Sequence, residues 1–176
     1  MKRSLILALI LLLAAGSVCA QDSEAADSPN GAVSFVLAGS FAPFGLGAEV
    51  FLGPLGLGGT FTALPFGGGG NFVLLYEPGA YGRFYFSDPE SALFATAGLS
   101  YLSIAGGSYD DVGLVDGGIL RVNGGLGYNA FFGRDNSTRF SFELGPRFNQ
   151  IIVEGNDVND ANWIFVHFML MFGKTF

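Results

Sequence analysis

Charge is scarce in this chain of 176 residues, and cysteine and histidine occur only once each. Charged side chains make up 13% of it, against roughly 25% in an average soluble domain. The single cysteine, Cys19, lies in what reads as an export leader. Met1, Lys2 and Arg3 give a basic start, residues 5–15 an unbroken apolar run of 11, and Val18-Cys19-Ala20 a cleavage site before Gln21. That run is too short to cross a bilayer as a helix. Residues 1–20 are therefore expected to be a cleaved signal peptide. Lipidation at Cys19 fits less well, because Val18 precedes it. Cleavage leaves a mature chain with no thiol and no disulfide.

Basic residues are short as well. Losing Lys2 and Arg3 from the 8 basic residues leaves 6 against 15 acidic ones, a mature net charge of −9. Nucleic-acid binding needs a basic footprint and is excluded as a function class. Lys174 is the only lysine left, and a soluble surface is hard to build from so little charge. Also missing, after the leader, is any run of about 18 apolar residues free of Gly, Pro and polar interruptions. A membrane-spanning helix is thereby excluded. A closed β-barrel is the other structure that satisfies its own backbone in lipid.

What the chain has in abundance is glycine, 28 residues, and phenylalanine, 19. Residues 21–31 are acidic, end in turn formers and are expected to form a flexible tail. From Ala32 to Phe176, apolar segments alternate with turn chemistry. Eight can be counted, at about 32–41, 44–53, 55–64, 72–86, 92–104, 118–132, 139–151 and 163–176. The expected fold is all-β, an eight-stranded antiparallel up-and-down transmembrane barrel over 32–176. One segment has a competing signature. Asp88 and Pro89 resemble a helix start, but Leu93, Ala95, Ala97, Leu99 and Tyr101 keep period two, which favours a strand.

Period-two alternation puts two surfaces on each strand. Leu120, Val122, Leu126 and Tyr128 oppose Arg121, Asn123, Gly125 and Gly127. Phe140, Phe142, Leu144 and Phe148 oppose Ser141, Glu143, Gly145, Arg147 and Asn149. Near the C-terminus, Ile164, Val166, Phe168, Leu170, Phe172 and Phe176 share one face. Low charge decides which face is out: Phe and Leu toward lipid, small and charged residues toward a narrow lumen. Residues 65–71, 105–117 and 154–162 are expected to be long irregular loops on one side. Short turns at Gly53-Pro54, 87–90 and 133–137 fall on the other.

Five charged residues fall on the inward face: Glu49, Arg83, Arg121, Glu143 and Arg147. Charges in a narrow lumen are costly unless paired, so an ion-pair network that closes the pore is expected. Phe94, Phe165, Met169 and Met171 also point inward and would make an apolar lumen wall. The expected loops carry Asp110, Asp111, Asp116, Glu154, Asp157 and Asp160, with no base among them. Residues 154–160 lack the central Gly and terminal Glu of a calcium loop, and no metal site is expected. The lone His167 is read as a structural lumen residue. Gly125, Gly127 and Ala130 loosely match a dinucleotide fingerprint, but that motif needs a following helix, and Phe131-Phe132-Gly133 instead runs a strand into a turn. The four glycines at 67–70 are not followed by the Lys-Ser/Thr of a phosphate loop. Asn136-Ser137-Thr138 matches a glycosylation sequon by chance.

The leader, the strand count, the Gly-aromatic stretch Tyr81-Gly82-Arg83-Phe84-Tyr85-Phe86 and the ending Phe172-Gly173-Lys174-Thr175-Phe176 together resemble the small eight-stranded outer-membrane barrels of the OmpX, OmpA-barrel and OmpW type. The resemblance covers nearly the whole mature chain. It implies a bacterial outer-membrane location and a C-terminal assembly signal carried by Phe168, Leu170, Phe172, Gly173 and Phe176. Lys174 departs from the aromatic that the family prefers there. Implied partners are outer-membrane lipids, including lipopolysaccharide-like lipids, the barrel-assembly machinery, periplasmic chaperones and a host or environmental ligand. Neither cofactor nor catalytic residue is implied, and a monomer is expected. The lipid A-modifying members of such barrels pair a His with a Ser, which the residues after His167 do not supply. The function expected is that of a non-enzymatic structural or surface-interaction protein. The alternatives are a conduit or binding barrel for small hydrophobic molecules, as in the OmpW type, and a narrow porin-like channel.

Overall fold

The computed structural model describes residues 30–38, 42–68, 71–87, 91–108, 111–132, 137–152 and 163–176. They form eight strands: β1 (Gly31–Ala38), β2 (Phe44–Leu52), β3 (Leu55–Gly68), β4 (Asn71–Tyr85), β5 (Ser91–Ser108), β6 (Asp111–Phe132), β7 (Thr138–Ile152) and β8 (Trp163–Thr175). Each pairs antiparallel with the next, and β8 returns to β1 to close the barrel. The closing register runs from Ala32↔Thr175 to Ala38↔Met169. The last residue extends the seam: Asn30 and Gly31 donate backbone N–H groups to the Phe176 carbonyl, and Phe176 donates back to Gly31. Closure leaves no free sheet edge along the paired part of the wall.

Local chemistry explains the tight joins. Between β2 and β3, Gly53 takes φ 61° and Pro54 follows. Glycine at the first position of a two-residue hairpin supplies the positive φ that matches strand twist. Prolines inside strands sit where they cost no ladder bond. Pro78 falls at a gap in the β4–β5 pairing, between Tyr76↔Ser103 and Gly79↔Ser100. Pro146 falls at a gap in the β6–β7 pairing, between Asn123↔Arg147 and Leu126↔Leu144. Pro65 lies beyond Ala63↔Phe44, where β3 has no β2 partner.

Two segments expected to be irregular loops are strand instead. Residues 65–68 and 71–74 extend the β3–β4 ladder, and residues 105–108 and 111–114 extend β5–β6 after a register shift near Ser103 and Ala105. Glycine-rich sequence lacks side chains to mark a face, so its periodicity is weak. Its backbone pairs all the same once a neighbouring strand offers the ladder. Asp111 and Asp116 accordingly lie within β6, with side chains outside the described set. Asp110, Glu154, Asp157 and Asp160 lie outside the described residues, as do the leader, residues 21–29 and all of 153–162. The competing helix signature gives way to strand from Ser91 onward.

The two faces are inverted relative to a soluble barrel. Every strand exposes large apolar side chains outward, among them Val33, Leu46, Leu57, Phe84, Leu93, Leu126, Leu144 and Val166. Leu126 is 62% exposed and Val166 72%, while the charged Glu49, Arg83, Arg139 and Glu143 are buried inside. Only a lipid environment makes that distribution favourable, because apolar area left in water would cost roughly 25 cal/mol per Å². The wall is also uneven. β1 and β2 are 8 and 9 residues long, whereas β5 and β6 reach 18 and 22.

Candidate functional site

The lumen is filled by side chains in layers. At the end that carries both termini, Ala32, Phe51, Tyr85, Ala92 and Phe94 form an apolar cluster, with Phe131 against it. The aromatic rings meet edge to face, Tyr85 to Phe94 at 5.4 Å and Phe51 to Tyr85 at 5.9 Å. Such contacts favour ring edge against ring face over a parallel sandwich.

Above this floor lies a balanced ionic layer. Arg83 donates from Nη1 to Glu49 Oε2 at 2.8 Å and from Nη2 to Glu143 Oε2 at 3.0 Å. Arg139 donates from Nη2 to Glu49 Oε2 at 2.6 Å and from Nε to Asn129 at 2.7 Å. Tyr81 and Tyr85 donate their hydroxyls to Glu49 at 3.1 and 2.7 Å. The Arg83 guanidinium also lies over the faces of Tyr81 and Phe94, at 4.5 and 4.4 Å. Side chains of Glu49, Arg83, Arg139 and Glu143 are fully buried. Glycines leave the room: a Cβ on Gly58 would sit 2.5 Å from the Tyr81 hydroxyl.

A second cluster lies farther from the termini. Glu77 accepts from Arg121 at 2.5 Å and from Ser100 at 2.6 Å, and Arg147 approaches it at 3.9 Å. His167 joins the two clusters. Arg147 donates to its Nδ1, and its Nε2 contacts Glu143 Oε1 at 3.0 Å. Arginine has no acceptor. Nδ1 must therefore accept, which places the ring hydrogen on Nε2, donated to Glu143.

All five charges placed inward by alternation are buried in this network. Glu143 meets Arg83 and His167 and not its strand neighbour Arg147, which turns to Glu77 and His167. Two further members, Glu77 and Arg139, were not among the expected lumen charges. Their signal was present in the parity: Glu77 is six residues before Arg83 on β4, and Arg139 is four before Glu143 on β7. An even offset along a strand keeps one face.

The expected apolar lumen wall is not one wall. Phe94 belongs to the floor, whereas Met169 and Met171 join Val36, Ala38 and Tyr81 in a separate cluster. Phe165 is 55% exposed beside Trp163, with ring centroids 6.4 Å apart. The reason is register. Pairing of β8 with β1 stops at Ala38↔Met169, so Phe165 stands above the short β1 at the barrel mouth. Of the expected assembly-signal residues, Phe168, Leu170 and Phe172 lie on the outward face of β8, and Gly173 pairs with Ser34. Among the described residues no three His, Cys, Asp or Glu side chains come together as a metal site.

No family model and no curated protein matches the sequence. Solved structures do match. The N-terminal β-barrel domain of Pseudomonas aeruginosa OprF aligns at a TM-score of 0.53 and 16% identity, covering 84% of this chain and 98% of that domain. Ail, the attachment invasion locus protein of Yersinia pestis, aligns at a TM-score of 0.43 and 14% identity, covering 85% of this chain and 99% of Ail. The closed antiparallel barrel of eight strands agrees with the first of these, so this chain has the fold of the small eight-stranded outer-membrane β-barrels.

Proposed function

We propose that the protein is a non-enzymatic outer-membrane barrel that acts at its outer rim and not through its lumen. The observation that carries this reading is Arg83, held between Glu49 and Glu143 in the middle of the barrel. Eight strands enclose only enough space for side chains. A permeant would have to separate fully buried ion pairs, and each separation strands a charge at a cost of about 3–5 kcal/mol. Among the described residues, these ion pairs and the aromatic cluster beneath them stand across the lumen.

The rim supports the same reading. In such barrels termini and short turns face the periplasm and the opposite end faces out, and here Gly53-Pro54 lies at the end with the termini. At the opposite end, β3 and β4 continue past the last β2 pair, and β5 and β6 continue past the last β7 pair, Gly118↔Ile152. One side of the barrel therefore stands up as a wall, and among the described residues its outer edges on β3 and β6 have no neighbouring strand there, an arrangement that suits strand addition by a partner.

Liposome swelling combined with surface proteolysis tests this function. Reconstituted protein should admit no small sugars, and protease added to intact cells should cut at the tip of the β5–β6 hairpin, between Ser108 and Asp111. Solute entry at porin-like rates, or protection of that segment on intact cells, would remove the basis for the proposal.

A further inference from the structure

Two neighbouring hairpins of the tall wall differ in charge. Positions 50–76 hold no charged residue, and they include the whole outer end of the β3–β4 hairpin. The β5–β6 hairpin instead carries Asp110, Asp111 and Asp116. Register sets the two tips at one height, since Asn71 pairs with Ser108 and Ser108 with Asp111. β3 continues through residues 64–68 beyond its last β2 pair, Phe44↔Ala63.

An antiparallel hairpin that stands in water commonly has one polar face. Here neither face is polar. The β3–β4 ladder is unbroken from Leu55↔Phe84 to Gly68↔Asn71, so parity carries through to the tip. Leu64, Phe66, Val73 and Leu75 fall on the face of Thr62 and Glu77, both buried in the lumen lower down. Pro65, Phe72 and Leu74 fall on the opposite face, with Phe61 and Tyr76, whose rings stack at 6.4 Å. Phe66 is 46% exposed, and Pro65 beside it is exposed on the other face. Contiguous apolar surface of this kind marks a contact site.

We propose that this hairpin docks the barrel, tip first, onto the surface of an apposed zwitterionic lipid bilayer. The inference rests on the reading that the protein acts at its rim. A protein partner would cover one face of the hairpin, whereas lipid surrounds both. The barrel's own bilayer reaches the outer face alone, because Phe66 and Val73 lie on the face above the barrel mouth. Only a second bilayer meets both faces. Charge selects the kind of bilayer: an anionic surface is repelled by the acidic neighbouring hairpin, whose Asp111 stands level with the tip. Penetration is shallow. Among the described residues the outer edge of β3 has no neighbouring strand above Ala63, and its backbone groups need the water of the headgroup region. Apolar side chains at that depth reach about 5–10 Å into the boundary between headgroups and acyl chains.

The barrel held in a lipid nanodisc and mixed with phosphatidylcholine vesicles provides the test. It should float with the vesicles on a density gradient, undiminished by salt, while empty discs stay behind. Phe66→Asp and Phe72→Asp, one on each face, should each lower the bound fraction roughly tenfold, since a carboxylate is costly to bring to the acyl boundary. Heat-modifiable migration reports whether each variant folds. A fluorescence measurement keeps the test decisive if either does not. Trp163 is the only tryptophan, so Phe66→Trp in a Trp163→Phe background places the one indole at the tip. Brominated lipid present in the vesicles alone should quench it. Absence of quenching, or flotation unchanged in both aspartate variants, overturns the proposal. So does equal binding to phosphatidylglycerol vesicles. Exclusion of sugars in the swelling assay with no vesicle binding would strike this inference and leave the rim reading standing.

Discussion

The Arg83 guanidinium on β4 meets the Glu143 carboxylate on β7 across the barrel, Nη2 to Oε2 at 3.0 Å, with both side chains fully buried. The residues are 60 positions apart, on strands that do not pair. Only closure of the sheet brings them together, and the contact thereby ties opposite walls.

Arg83→Ala removes the one cation shared by Glu49 and Glu143 and leaves Arg139 to serve Glu49 alone. Loss of a partner from a buried pair costs about 3–5 kcal/mol. The folded form, followed by heat-modifiable migration on a gel, should convert to the unfolded form at clearly lower urea than wild type. Equal midpoints for the two proteins would mean that the network contributes no stability.

Glu143→Ala combined with Arg147→Ala takes away both groups that hold His167 between the clusters. Single-channel conductance in a planar bilayer should rise above the wild-type level. An unchanged trace would show that these side chains are not what closes the pore.

Gly58→Val should destabilise the barrel by roughly 1–3 kcal/mol through overpacking, because its Cβ would press on the Tyr81 hydroxyl. Tyr81→Ala introduced alongside should recover part of that loss, since neighbours in contact are not additive. A double-mutant cycle by urea titration reads the coupling, and strictly additive effects would disprove the contact.

Leu126 and Phe132 both face outward on β6, the first near the middle of the paired wall and the second at its terminus-bearing end. An arginine costs about 2–4 kcal/mol at the bilayer midplane of such barrels and about 0–1 near the interface. Leu126→Arg should therefore lower folding free energy in lipid vesicles far more than Phe132→Arg. A similar cost at both sites would contradict the membrane placement.

The period-two pattern was strong wherever large apolar residues alternated with small polar ones, as in Phe140 to Asn149, and there the strands and their faces were legible. It faded in 65–71 and 105–117, where glycine has no side chain to display a face. Those residues pair because β4 and β5 stand beside them. The charges followed the same logic. Parity placed Glu49, Arg83, Arg121, Glu143 and Arg147 inward, and it applied equally to Glu77 and Arg139. It was silent on pairing, since Glu143 bonds Arg83 on the far wall and not Arg147 four residues along its own strand.

Composition and periodicity alone determined that this chain forms strands with a lipid-seeking face and a polar one, because those properties are local and repeat every two residues. Partner choice inside the lumen was decided by tertiary structure. Shear, closure and the short reach of β1 set the height of each side chain around the ring. That is why Phe165, inward by parity, ends at the mouth, while Glu77 and Arg147, on strands far apart in sequence, come to border one cavity.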